Sequence, residues 1–121
     1  MTAGQTAIML IYKILRDPEW KALEADGSTR GAPVDLADGY VHFSTASQLG
    51  ETAAKHFAGV EGLWLLAVDP AALTHDLRWE PSRGGQDFPH LYAPLRRDQV
   101  LWARPLPLGD DGVPVPPDDL E

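Results

Sequence analysis

Cysteine is absent from the 121 residues, which excludes disulfides, thiolate zinc sites, iron–sulfur clusters and cysteine nucleophiles together. Positive charge is scarce: 10 Lys and Arg stand against 18 Asp and Glu, a formal net charge of −8. No basic stripe of the kind that holds nucleic acid is present, so nucleic acid is an unfavoured partner. A small anionic ligand held by one or two local arginines is still compatible with this balance. Long hydrophobic runs are missing too. The longest, Leu63 to Val68, is strand-sized, and no membrane span is expected. No basic segment precedes the apolar N-terminal stretch, so no signal peptide is read and a cytoplasmic location is expected. Gly84-Gly85 does not extend to a Walker-type loop or a dinucleotide fingerprint, and Gly-x-Ser-x-Gly is absent. No two histidines have the spacing of a zinc-protease helix, and no metal site is expected.

What is present reads as one globular domain. Hydrophobic residues make up 44% and charged residues 23% of the chain, near the average for folded domains of this length. Residues 1–7 read as an N-terminal extension, 8–108 as a single α+β domain, and 109–121 as an acidic Pro/Asp-rich tail, disordered or loosely attached. Ile8 to Leu15 has the apolar, β-branched character of a buried strand. Asp17 suits an N-cap and Pro18 a first helical position, which predicts a short helix with Trp20 and Leu23 inward, Ala22 a third candidate for that face, and Gly27 at its end. Ser28 to Gly39 reads as loop. Tyr40 to Phe43 is a short strand running directly into a helix, where Thr45 and Gln48 have capping-box spacing and Ala46, Leu49, Ala53 and Phe57 share a face. Gly62 to Asp69, Asp76 to Glu80, Phe88 to Ala93 and Gln99 to Leu106 read as further strands, with Pro89 confining its strand to an edge or a bulge.

Four histidines are present, and they differ in setting. His42 lies in a strand that feeds a helix N-terminus, where Ser44, Thr45 and free backbone N–H groups would gather around an anion. The same residues also fit a simple N-cap beside a half-buried strand histidine. His90, between a glycine-rich loop and a strand, is a second imidazole for acid–base or hydrogen-bonding work, or else a surface residue fixed by its proline. Glu80 and Arg83 offer a carboxylate and a guanidinium for a ribose hydroxyl and a phosphate, or an ordinary solvated pair, and Trp79 would suit a cleft wall. His75 reads as solvent-facing, and His56 as a partner of its helix C-terminus. The proposed constellation takes His42 and His90 as catalytic, facing each other across a common hollow. Tyr12, Phe43, Ser44, Thr45, Trp79, Glu80, Arg83 and Tyr92 would bind the ligand.

Ile11-Tyr12-Lys13-Ile14, Asp35, Asp38-Gly39-Tyr40-Val41-His42-Phe43-Ser44-Thr45-Ala46, Gln48-Leu49, His56-Phe57, Trp79-Glu80 and Phe88-Pro89-His90-Leu91-Tyr92 form an ordered pattern. Over about residues 8 to 106 it resembles the family called domain of unknown function 952. That resemblance implies an ADP-ribosyltransferase-like fold: an α+β domain with a mixed, split β-sheet and two short helices in its N-terminal half. By the same likeness Phe43, Ser44 and Thr45 would approach the ligand. Tyr12 and Lys13 stand where the relatives carry a His or Arg, and His90 stands near the place of their catalytic glutamate. NAD or another nucleotide is the ligand class implied, and a phosphorylated small molecule the partner expected. The alternative is a non-catalytic ligand-binding or protein-interaction module on the same fold, with no protein partner named by the sequence.

Overall fold

A computed structural model describes residues 9–82 and 85–120. The expected N-terminal extension, residues 1–7, lies outside the described residues, as does Arg83. The elements run β1 (Ile11–Arg16), α1 (Asp17–Asp26), β2 (Ser28–Thr29), α2 (Pro33–Asp38), β3 (Val41–His42), β4 (Ser44–Thr45), α3 (Leu49–His56), β5 (Leu63–Val68), β6 (Leu77–Pro81), β7 (Asp87–Leu91), β8 (Leu95–Arg96) and β9 (Val100–Leu106). They form a four-stranded sheet in the order β4-β1-β5-β9, a three-stranded sheet in the order β3-β7-β6, and the small β2-β8 pair. Every pairing among the described residues is antiparallel, so the sheet is not the mixed one expected. The domain is α+β with few helices.

The apolar run of β5, and that of β1 apart from Lys13 and Arg16, follow from burial on both faces. Ile11 and Leu15 of β1, with Leu66 and Val68 of β5, pack on one side against Trp20, Leu23, Phe43 and Leu91. Tyr12 and Ile14, with Leu63, Leu65 and Ala67, pack on the other against Leu49, Ala53 and Leu106. The alternation places Lys13 on the first face, among apolar neighbours. At 6% relative exposure it is a buried cation that needs a partner.

Several expectations give way to the geometry. Arg16, not Asp17, caps α1: the Glu19 carboxylate accepts the Arg16 backbone N–H at 2.8 Å, while Asp17 takes the indole N–H of Trp64 at 2.9 Å. Trp20 and Leu23 face inward as the pattern predicts, but Ala22 is exposed. The stretch read as loop, Ser28 to Gly39, contains both β2 and α2. The single strand expected at Tyr40 to Phe43 breaks: β3 pairs with β7, and after Phe43 the chain crosses to the other sheet as β4, which pairs with β1. The predicted helix starts with a 3₁₀ turn at Ala46–Gln48, with the Gln48 side chain accepting the Thr45 N–H at 3.0 Å.

Pro89 lies in β7, the middle strand of its sheet, and is not at an edge. Its carbonyl accepts the Phe43 N–H at 2.9 Å. A residue's N–H and carbonyl point to the same neighbouring strand, so the donor that Pro89 lacks faces the point where β3 has already ended. The ladder loses little.

The tail is docked, not loose. Leu108 bridges Pro114, the Gly59 N–H donates to the Gly112 carbonyl at 2.7 Å, Arg104 pairs with Asp119 at 3.2 Å, and Leu120 packs on the second core cluster. Truncation after Leu108 is expected to lower the urea midpoint by the equivalent of about 1–3 kcal/mol, chiefly from lost apolar packing. An unchanged midpoint would mean that the tail contributes nothing to the fold.

Candidate functional site

The site is built around the side chain of Asp35. Pro33 starts α2 at a position where its missing N–H costs nothing, and Asp35, two residues on, points back to cap the helix. Its Oδ2 accepts the Ala32 N–H at 2.7 Å and Lys13 Nζ at 2.7 Å. Its Oδ1 accepts the His42 backbone N–H at 2.9 Å and faces His42 Nδ1 at 2.6 Å. Four groups therefore fill the lone-pair directions of one carboxylate whose side chain is fully buried. Gly31 makes room for it: its φ of +100° is poorly accessible to other residues, and a Cβ there would fall on the Asp35 carboxylate.

Burial by itself would push the Asp35 carboxyl up. The hydrogen bond from His42 and the charge of Lys13 more than offset this and hold it below the ordinary carboxylate range. Lys13 is displaced downward, because burial outweighs the help it receives from Asp35.

The β3–β7 register sets His42 directly opposite His90. The two rings meet edge to face with centroids 5.3 Å apart. They are neighbours on one wall of a cavity of about 640 Å³ and do not face each other across it, as the sequence reading expected. His90 is buried, and its Nδ1 lies 2.7 Å from Glu80 Oε1, which also accepts the Tyr92 hydroxyl at 2.8 Å. Those two bonds, from His90 first, hold the Glu80 carboxyl below its usual range. The bond to Glu80, with some burial, pushes the Tyr92 hydroxyl up. His42 Nε2 lies 3.0 Å from Asp38 Oδ2. Tyr40 covers both imidazoles, stacked on His90 at 4.2 Å and tilted over His42 at 4.5 Å. Burial and the charges of Asp38, Glu80 and Asp35 raise the Tyr40 hydroxyl.

The expected ligand residues separate into groups. Tyr12, Phe43 and Ser44 line the cavity with His42 and His90. Glu80 and Tyr92 stand behind His90 as its supports. Thr45 is not among the lining residues, and its N–H is taken by Gln48. Ser44 Oγ shares a hydrogen bond with Thr52 at 2.9 Å, so the helix-end donors expected to meet an anion are already engaged. Trp79 pairs with Pro89 and, by the pleat, lies on the sheet face opposite Glu80 and His90, 41% exposed and away from the cleft. His75 is exposed as expected, whereas His56 lines the cavity.

Asp35, Tyr40 and Arg16 are site residues that composition and spacing did not single out. The signal for Asp35 was present: Pro33, Asp35 and Gly39 are start, third-position and stop residues of a short helix. Among the described residues no group of three or more His, Asp or Glu is arranged to hold a metal ion, and no helix is long and apolar enough to cross a membrane.

The chain belongs to the family described as protein of unknown function (DUF952), whose model matches residues 14–103. It is similar to the protein CC0527 from Caulobacter crescentus. The crystal structure of that protein has 53% sequence identity and a TM-score of 0.86, covering 88% of this chain and 93% of that one. Its solution NMR structure, also at 53% identity, gives a TM-score of 0.79 and covers 87% and 90% of the two chains. Comparison with curated proteins gives no match.

The buried carboxylate makes three stability predictions. Asp35→Asn leaves the Lys13 charge buried without a counter-charge and should cost on the order of 3–5 kcal/mol. Because the folded Asp35 carboxyl titrates below its unfolded value of about 3.9, its contribution is fully present above that value and is lost as pH falls through the folded one. Urea midpoints measured between about pH 5 and 2 should therefore fall steeply in the wild type and more shallowly in Asp35→Asn. Parallel curves would show that Asp35 does not govern the acid limb. Gly31→Ala should destabilise by about 2 kcal/mol or more through the same carboxylate, measured by urea unfolding at neutral pH.

Proposed function

For this DUF952 member we propose that the cleft binds a nucleotide or another phosphorylated small molecule, and that His42 and His90 act on it as a general acid–base pair. The observation that carries this reading is the placement of two imidazoles on adjacent strands, at one cavity wall, each with Nδ1 against a carboxylate. A carboxylate in that position fixes the ring and its tautomer, and at His90 it leaves Nε2 to exchange protons with a ligand. The two rings are suited to different roles. His42 has carboxylate oxygens at both nitrogens, Asp35 at 2.6 Å and Asp38 at 3.0 Å, which favours it as the proton donor. His90 Nε2 has no hydrogen-bond partner among the described residues and is suited to accept. Tyr40, stacked on His90 and tilted over His42, restrains their orientation.

The ADP-ribosyltransferase-like reading brings NAD as a ligand. Glycosidic cleavage of NAD asks for a carboxylate free to face the positive charge that develops on the sugar. Here Asp35 is committed to Lys13 and His42, Asp38 to His42, and Glu80 to His90 and Tyr92, while Glu19 caps α1. The residues present do not fit that chemistry, so no step passes through NAD. Nucleotide binding is retained and ADP-ribosyl transfer is not.

Thermal unfolding of the full chain with AMP, ADP, ADP-ribose, NAD and inorganic phosphate tests the reading. A ligand at a hundred times its Kd adds about 2.7 kcal/mol, a shift of several degrees in a domain of this size. That shift should appear with a nucleotide for the wild type and shrink in both His42→Gln and His90→Gln. Product analysis by mass spectrometry then separates turnover from binding. A shift without any product favours the non-catalytic binding module, and indifference to the whole panel removes the reading.

A further inference from the structure

The cleft lies between β1 and α3, and it has two distinct ends. At one end Tyr12 pairs with Ser44, and Ser44 Oγ bonds Thr52 of α3, beside the two imidazoles. At the other end the Arg16 guanidinium, at the close of β1, lies over the ring of Phe57, the residue that follows α3, 5.3 Å from its centroid. Both ends belong to the same cavity lining.

Lys13 and Arg16 are the lysine and arginine that line this cavity among the described residues, and they differ in availability. Lys13 Nζ is 2.7 Å from Asp35 and buried. Arg16 has its nearest carboxylate oxygen, from Glu19, at 3.8 Å, and its side chain is 44% exposed. A guanidinium set over an aromatic ring, with its fork of N–H groups not closed on a carboxylate, is suited to take a phosphate in two parallel hydrogen bonds.

We infer that Arg16 is the phosphate-recognition residue of the cleft. This rests on the reading of the cleft as a site for phosphorylated small molecules, and it adds where the phosphate goes. Three residue rises along β1, about 10 Å between backbone positions, separate Arg16 from Lys13, the neighbour of the Asp35–His42 pair, and the strand alternation turns the two side chains to opposite faces. The phosphate is then a handle and not the reacting group. The substrate class is an elongated phosphomonoester whose proton-exchanging group reaches His42 and His90 from a phosphate held at Arg16, all three residues lining one cavity.

Isothermal titration of the full chain with AMP, ribose 5-phosphate, inorganic phosphate and adenosine tests this, using Arg16→Gln, Arg16→Lys and His90→Gln. Arg16→Gln should weaken the phosphorylated probes at least tenfold and leave adenosine unchanged. Arg16→Lys should restore part of the loss, since it returns the charge without the fork. His90→Gln should weaken AMP and adenosine by the same factor. Phosphorylated probes that bind the wild type and Arg16→Gln equally well would overturn the inference while the acid–base cleft stands. No binding of any probe to the wild type would overturn both.

Discussion

One buried carboxylate joins the parts of this molecule that make the cleft. Asp35 belongs to α2, yet its four hydrogen-bonding partners come from the start of that helix, from the middle of β1 and from both the backbone and ring of His42 on β3. Lys13 explains why it must be there. The strand alternation that buries Ile11 and Leu15 also buries Lys13 on the same face, and an ammonium among those side chains is tolerated only with a close counter-charge. A short helix of six residues has little stability of its own. What holds α2 in place is the carboxylate it carries inward. The fold's answer to a buried lysine thus also supplies the orientation of one imidazole.

The cleft itself comes from topology. β4 covers β1 only at Ile11 and Tyr12, because the chain reaches β4 from a different sheet, one residue after leaving β3. Beyond Tyr12 the β1 edge has no neighbouring strand on that side, and the space becomes the cavity that Lys13, Ile14 and Arg16 line. Pro89 fits this crossing. Its missing N–H falls opposite Phe43, where the chain is already turning away, so a proline in a middle strand costs little at this one position.

Much of this was legible in the sequence, for identifiable reasons. β5 announces itself as an unbroken apolar run, and β1 as an apolar run interrupted only by Lys13 before Arg16, because both of their faces are covered. Thr45 and Gln48 mark the start of the second long helical stretch through a purely local hydrogen bond. The two histidine blocks could be read as a pair, although not their side-by-side register. α2 escaped because Val34 and Leu36 are exposed and its single buried side chain is an aspartate, so it shows no apolar period. Trp79 misled because an aromatic residue one position from Glu80 must point to the opposite face. The tail misled because its composition is that of a disordered segment, whereas Pro114 and Leu120 find apolar surface that only the folded body offers. In α2 and the tail a tertiary contact overrode local composition, and at Trp79 the pleat did.

The two imidazole–carboxylate pairs are chemically unlike, and that difference is what the site has to work with. Asp35 is wholly buried and shared between a cation and His42, and its carboxyl stays below the ordinary range in spite of burial. Glu80 is about one-third exposed, is shared with a neutral phenol, and is lowered mainly by His90 itself. A pair of identical settings would give two groups doing the same task. Two neighbouring imidazoles with unlike supports can instead divide donation from acceptance, the arrangement that acid–base chemistry on one ligand requires. Because nearly every base in the cleft already has a carboxylate, the site holds little free positive charge to set against the protein's net charge of −8. On the proposed reading, a phosphate is left to Arg16, the guanidinium whose carboxylate stands furthest off.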